Sequence, residues 1–181
     1  SSPEKSDKEE LLNSTIIGML VLIVPLGKKS GPLFKFWSSL SWVAPARVAG
    51  GNFTHASIIV VTEDLSLIRT EYGAYDDKRS GEFKGQVHYL TGDDGLRFVK
   101  ISKNELQSYY DNDDDVVITC DIENYMTLKD MLNRTKTQGS YHYWDKEDYN
   151  ILSENCQLFV RKAIQVLGAT RKHEIQRNRT I

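Results

Sequence analysis

The sequence predicts an α+β fold in which helices pack on a compact antiparallel sheet of about five strands. Several short runs are rich in β-branched residues and end in turn-forming residues, which is typical of strands. Other segments place apolar residues at helical spacing. The chain has 181 residues, enough for one domain that buries roughly 70% of the surface its unfolded chain exposes. We expect a flexible segment over 1–15, one folded domain over 16–168 and a basic tail over 169–181.

The first core element is the apolar run that follows the charged N-terminal segment. Within that segment we expect only a helical turn around Glu9–Leu12. Ile16–Val24 is short and rich in branched residues, which predicts a buried strand. The whole apolar run, Ile16–Leu26, spans 11 residues. Since a membrane-spanning helix needs about 20 residues, we expect no transmembrane segment here.

Residues 27–53 combine Gly, Ser and Pro with a cluster of large aromatic side chains: Phe34, Phe36, Trp37 and Trp42. Beside a catalytic strand, these side chains could line a substrate site or contact a membrane surface. The alternative is a short helix, Leu33–Leu40, that packs its aromatic side chains on the core.

The clearest local unit is a β-hairpin of two strands, Ala56–Val61 and Leu65–Tyr72, joined by the turn residues Thr62–Asp64. We expect an antiparallel register in which the numbers of facing residues sum to 126. His55 then lies opposite Glu71 on the same face of the sheet, with side-chain origins ~5 Å apart. A register slip of one residue would turn Glu71 to the other face.

The second half of the chain continues the mixture of strands and helices. Further strands are predicted at Gln86–Leu90, Leu96–Ile101 and Val116–Cys120. Ser102 and Glu105 have the spacing of a capping box at a helix start. Two more helices are predicted at Thr127–Thr135 and Asn155–Leu167, the second with Gly168 just past its end as a C-cap.

Composition limits the classes of partner and the compartment. The net charge of −2 does not favour a nucleic acid or an anionic membrane. Two cysteines are too few for a disulfide framework, which favours a reducing compartment and a cytoplasmic protein. Four N-x-S/T sequons favour a secretory route instead; they begin at Asn13, Asn52, Asn133 and Asn178. We expect no cofactor and no metal, because the acidic run Asp111–Asp115 lacks the Gly turn and distal Glu of a calcium loop.

Cys156 is the candidate nucleophile. It is the second residue of the predicted final helix, where the helix dipole and free N–H groups favour a thiolate. Its backbone N–H could also hold a developing oxyanion. Cys120 ends a strand and has neither advantage. The alternative is that Cys156 is one more buried small residue on an apolar helix face.

His55 is the candidate base. It opens the best-defined strand of the chain, after Gly50 and Gly51. His142 is a reserve candidate, while His88 and His173 lie in poorly patterned segments. A carboxylate beside the imidazole, here Glu71, would fix its tautomer and stabilise the imidazolium. The alternatives are a solvated strand end for His55 and a surface charge for Glu71.

Three segments of this sequence resemble the circularly permuted NlpC-like superfamily. Asn155-Cys156-Gln157-Leu158-Phe159-Val160 resembles its Asn-Cys-x-x-Phe segment. Thr54–Ile59 and Thr70–Gly73 match its order of a His at a strand start and a polar third residue on the next strand. The superfamily includes lecithin:retinol acyltransferase-like proteins, PPPDE peptidases and bacterial permuted NlpC-type hydrolases.

The resemblance implies a permuted papain-like fold and a cysteine hydrolase with a Cys156–His55–Glu71 triad and an acyl-enzyme intermediate. The acyltransferase branch usually has a second His as third residue, whereas this chain has Glu71. We therefore expect a thiol peptidase or amidase acting on a peptide, amide or acyl substrate. A lipid or thioester acyltransferase of the same fold and an inactive binding module are the alternatives. The side chains expected to contact the substrate are Trp37, Trp42, Tyr72 and Asn155.

Overall fold

The computed structural model describes residues 3–25, 54–73, 81–83, 86–90, 95–137, 144 and 156–172. Its helices are α1 (Pro3–Leu12), α2 (Lys103–Asp111), α3 (Leu128–Thr137) and α4 (Cys156–Leu167). Its strands are β1 (Thr15–Pro25), β2 (Thr54–Thr62), β3 (Leu67–Tyr72), β4 (Gly81–Phe83), β5 (Gln86–Leu90), β6 (Leu96–Ile101), β7 (Val116–Asp121), β8 (Met126–Thr127) and β9 (Thr170–Arg171).

These nine strands form one antiparallel sheet, so the predicted α+β class is confirmed. Eight strands follow the order β4-β5-β6-β3-β2-β1-β7-β9, and β8 pairs with β1 beside β7. The predicted number of about five strands was too low. The added strands β4, β8 and β9 have only two or three residues each, too few to show an alternating pattern.

Helices cover both faces of the sheet. On one face, α3 and α4 cover the larger apolar cluster, which includes Met19, Ile58 and Phe159. On the opposite face, α2 packs on a smaller cluster that contains Leu22, Ile59 and other strand residues. β1 and β2 are therefore buried on both sides, which explains why their sequences are almost continuously apolar rather than alternating.

The β2–β3 hairpin forms, but its register differs from the predicted one. The numbers of facing residues sum to 128 rather than 126, as in the pairs Ile58–Thr70 and Val61–Leu67. The turn is displaced because Leu65 adopts a left-handed conformation with φ 64° and belongs to the turn instead of the strand. Asp64 stabilises this turn, since its carboxylate accepts from the Thr62 hydroxyl at 2.5 Å and the Ser66 amide at 3.2 Å. A displacement of two residues preserves the face to which each side chain points.

Secondary structure extends beyond residues 16–168 at both ends. The expected flexible segment, 1–15, contains α1, whose Leu11 and Leu12 pack against the larger cluster. Lys8 adds a hydrogen bond from its Nζ to the Leu90 carbonyl at 2.7 Å. At the other end, the tail predicted from Ala169 begins with β9, which pairs with β7.

Both predicted helix caps are confirmed. The Ser102 hydroxyl accepts from the Glu105 amide at 3.1 Å, as expected for the N-cap of α2. After α4, Gly168 has φ +60°, and the Ala169 amide donates to the Ile164 carbonyl at 2.9 Å. This geometry is the glycine-terminated helix end that the sequence indicates.

Candidate active site

Cys156 is the first residue of α4, one position earlier in the helix than expected. The apolar face of α4 packs on the sheet through Phe159, Ala163 and Leu167, which are all fully buried. Packing therefore fixes the start of α4 against β2 and β3. Amide groups in the first turn of a helix have no partner within the helix, and the Cys156 N–H is one of these groups in α4. The Cys156 residue itself is 1% exposed.

His55 lies at the start of β2 and contacts both other predicted site residues. Its Nε2 is hydrogen-bonded to Glu71 Oε2. It also makes a side-chain hydrogen bond with Cys156. With Nε2 on the carboxylate, Nδ1 is the ring nitrogen left for the sulfur. The structure therefore brings Cys156, His55 and Glu71 together, in the order predicted from the sequence.

The ends of two strands place His55 between Glu71 and Cys156. The β2–β3 pairs run from Val61–Leu67 to Ile58–Thr70 and stop before His55 is reached. Glu71 lies beyond the last of these pairs and is held instead by β6, where it faces Arg97. The contact to His55 is thus diagonal rather than directly across the hairpin, and it forms because both side chains remain on the same face.

The electrostatics of the pair favour the charged forms of both groups. Burial alone would lower the pKa of His55, but the charges of Glu71 and Cys156, together with hydrogen bonds to both, raise it to about 10. Burial would raise the pKa of Glu71, but His55, Arg69 and Arg97 lower it to about 2. An imidazolium and a carboxylate therefore coexist at neutral pH, in a site where the two side chains are only 21% and 11% exposed.

Three residues that the sequence reasoning did not assign to the site extend it away from the thiol. Arg69 Nε lies 3.5 Å from Glu71 Oε1. Arg69 Nη1 donates to Tyr109 Oη at 2.5 Å and lies 3.5 Å from Glu105 Oε2. The available signal was the charge at Arg69, two positions before Glu71 in the same strand, because residues i and i+2 share a face.

An apolar groove of about 330 Å³ lies beside the site, between α4 and strands β1, β2 and β7. Its walls include Ala56 and Gln157, which directly follow His55 and Cys156 in the chain. Ile23, Val160 and Ile164 supply further apolar surface, and Arg161 and Arg171 lie at the groove. Sequence reasoning did not identify this groove, because its walls come from segments far apart in the chain.

The remaining predicted residues have different outcomes. Tyr72, expected to contact the substrate, is fully buried and packs against the Trp144 ring with centroids 4.9 Å apart. It is a core residue because the side chains of alternate β3 residues point to the α4 face. The other predictions lie outside the described residues. They are the substrate contacts of Trp37, Trp42 and Asn155, the helix at Leu33–Leu40, and the reserve base His142.

Cys120 lacks the surroundings of Cys156. It lies on β7, is 7% exposed, and among the described residues its thiol donates to the Ile118 carbonyl at 3.9 Å. Burial raises the pKa of its thiol, which disfavours the thiolate. Both cysteines are free thiols. Cys120 is therefore an internal reference for the reactivity of Cys156.

Comparisons with protein-family models, with curated proteins and with solved structures found no match. In the part of the chain that the structure describes, no three His, Cys, Asp or Glu side chains converge as metal ligands would. None of the described helices is both long and apolar enough to cross a membrane.

Proposed function

We propose that this chain is a cysteine-dependent hydrolase of the thiol peptidase or amidase type, with Cys156 as nucleophile, His55 as base and Glu71 as the residue that orients the base. One observation carries the proposal: a single imidazole is hydrogen-bonded both to a buried carboxylate and to a thiol at a helix start. A nucleophilic cysteine requires an imidazole that contacts the thiol and a third group that contacts and orients the imidazole.

In the proposed reaction, the Cys156 proton resides on His55 and the thiolate attacks the carbonyl carbon of the substrate. A C–S bond forms, the carbonyl electron pair moves to oxygen, and the Cys156 N–H at the start of α4 donates to that oxyanion. Collapse of the intermediate breaks the bond to the leaving group, which takes the proton from His55. Water then gives a proton to His55 and attacks the carbonyl carbon of the acyl-enzyme. The C–S bond breaks, the acid is released, and the Cys156 thiolate and protonated His55 are regenerated.

The arrangement of elements supports membership of the permuted NlpC-like superfamily with a papain-like fold. The base and the third residue come from neighbouring antiparallel strands, and the thiol comes from a later helix that packs on the same sheet. This matches the chain order implied by the resemblance of Asn155–Val160. The mechanism requires a reduced thiol, so we place the protein in a reducing compartment such as the cytoplasm.

Acyl transfer from a lipid or a thioester is the second candidate, and the apolar groove favours it. An acyl chain needs apolar surface next to the nucleophile, and Gln157 and Ala56, the chain neighbours of Cys156 and His55, line the groove. The same triad would form the acyl-enzyme, and a second acceptor would replace water. The substrate's leaving group distinguishes the two candidates, so the test must offer both an amide and a thioester.

Reaction with iodoacetamide followed by mass spectrometry tests the nucleophile. Cys120 is 7% exposed and Cys156 only 1%, so accessibility alone predicts that Cys120 reacts faster. The proposed ion pair predicts the reverse, with Cys156 reacting at least tenfold faster and losing this advantage in His55→Ala. Equal or slower reaction of Cys156 would contradict an enzyme and favour the inactive binding module.

Acyl probes then separate hydrolysis from transfer. Wild-type protein is incubated with a peptide p-nitroanilide library and with a long-chain acyl thioester, each with and without an amine acceptor. We expect an acyl adduct on Cys156 and release of the free acid, both absent in Cys156→Ala. Preferential transfer to the amine from the thioester would instead establish the acyltransferase.

A further inference from the structure

We infer that Arg69 is a positioning residue for Glu71, and that α2 holds Arg69 in place through Tyr109 and Glu105. The inference rests on the proposed function, because it assigns to these residues an influence on the reactivity of Cys156. Their described contacts lead to the site through the Glu71 carboxylate.

The two oxygens of Glu71 have different partners. Oε2 is hydrogen-bonded to His55, and Oε1 lies 3.5 Å from Arg69 Nε. The last torsion of a Glu side chain is broad, so a single partner does not fix the plane of the carboxylate. A cation on the second oxygen restricts that rotation. It keeps Oε2 directed at the imidazole.

Arg69 itself is fixed from the opposite side by α2. Its Nη1 donates to Tyr109 Oη at 2.5 Å and lies 3.5 Å from Glu105 Oε2. The Tyr109 hydroxyl in turn donates to Glu105 Oε2 at 3.1 Å. Glu105 and Tyr109 are four residues apart and therefore lie on one face of α2. The Arg69 guanidinium thus connects the strand that carries Glu71 to the helix that covers this face.

The choice of arginine follows from this geometry. A guanidinium spreads its charge over a rigid plane, so Nε can form an ion pair with Glu71, without a hydrogen bond, while Nη1 donates to Tyr109 on α2. A lysine has one ammonium at a single point and cannot make both sets of contacts in the same way. The Arg69 side chain is 19% exposed, which limits the screening of its charge by water.

The other charged groups around Glu71 are consistent with this role. Arg97 faces Glu71 across the β3–β6 pair, is 6% exposed and also lowers the pKa of Glu71. His55 is the charged neighbour from β2. Glu71 is therefore surrounded by two arginines and an imidazole.

The test is the pH dependence of Cys156 alkylation by iodoacetamide, measured from pH 4 to pH 10 in the full chain. Arg69→Met keeps the length of the side chain but removes its charge and donors. We expect about a tenfold lower rate at neutral pH, with the acid midpoint raised by about one pH unit. Tyr109→Phe should shift the midpoint in the same direction by a smaller amount, and Arg69→Lys should fall between wild type and Arg69→Met.

Gln107→Ala is the matched control, because Gln107 lies on α2 but makes an exposed hydrogen bond to Asp111 at 2.9 Å. It should leave the pH profile unchanged. A merely structural role for Arg69 would lower the melting temperature without moving the midpoint, and that result would overturn the inference. If Arg69→Met moves the midpoint while Tyr109→Phe does not, anchoring by α2 is refuted.

The same experiment separates this inference from the proposed function. Fast, His55-dependent labelling in the wild type with an unaltered profile in Arg69→Met would leave the cysteine enzyme standing and overturn the role of Arg69 alone. Wild-type labelling of Cys156 no faster than that of Cys120 would overturn both.

Discussion

Replacing Glu71 by Gln removes the charge of the buried carboxylate while it preserves the shape of the side chain. In the folded protein the pKa of Glu71 is about 2, against an ordinary value of 4.5. A difference of about 2.5 pH units, at about 1.36 kcal/mol for each, corresponds to about 3 kcal/mol of stability at neutral pH. His55 shows the same ion pair from the other side, so the contributions of the two groups are not added.

The pH dependence has a definite sign at each end. Glu71 has a depressed pKa, so its contribution is complete above pH 4.5 and is lost as the pH falls towards about 2. His55 has a raised pKa, so its contribution is complete below pH 6.5 and is lost as the pH rises through about 10. The free energy of unfolding lost in Glu71→Gln should therefore be largest between pH 4.5 and 6.5 and smaller on both sides.

Urea denaturation of both proteins from pH 3 to pH 10, followed by circular dichroism, measures this difference. Asp121→Asn is the control, because the Asp121–Lys172 ion pair at 3.2 Å is exposed by 66% and 50% and should contribute nothing measurable. A difference between wild type and Glu71→Gln that is constant across the whole pH range would refute the buried ion pair as its source.

Two further predictions concern the frame around the site. Trp144→Phe removes the indole donor to Thr135 Oγ1 at 3.0 Å and part of a fully buried ring that packs on Tyr72 and Phe159. The free energy of unfolding, measured by urea denaturation, should fall by about 2 kcal/mol. An unchanged free energy would show that the ring is not part of the core. Gly168→Ala places a Cβ at φ +60°, 3.2 Å from Glu123 Cβ, and should lower stability by about 1–2 kcal/mol, whereas Ala169→Gly, next to it, should have a much smaller effect.

Local patterns predicted most of the secondary structure. The strand at Leu96–Ile101 was found with the predicted bounds, and the strand at Ile16–Val24 and the helix at Thr127–Thr135 with bounds that differ by one or two residues. These segments are long and strongly apolar or strongly periodic, so the pattern is unambiguous. The α1 helix was underestimated, because its few apolar contacts come from residues at its end and depend on tertiary packing.

Side-chain networks could not be predicted in the same way. Trp144 lies in a polar, aromatic stretch of the sequence, but it is fully buried between Tyr72 and Phe159. Likewise, Arg69 meets Tyr109 across 40 positions of sequence. Such contacts depend on how α2 and Trp144 approach the sheet, and no spacing in the sequence encodes that approach.

The juxtaposition of His55 and Glu71 was predicted from a register that is displaced by two residues, and its survival has a physical reason. Side chains alternate across a strand with a period of two, so an even displacement keeps both residues on one face, whereas an odd one would have separated them. Because of the displacement, His55 and Glu71 are diagonal rather than direct neighbours, and their backbones are farther apart. The long Glu71 side chain and the imidazole ring of His55 together span this diagonal distance. An Asp at position 71 would be one methylene shorter and would not span this diagonal as well. The choice of Glu over Asp at the third position therefore follows from where Leu65 places the turn.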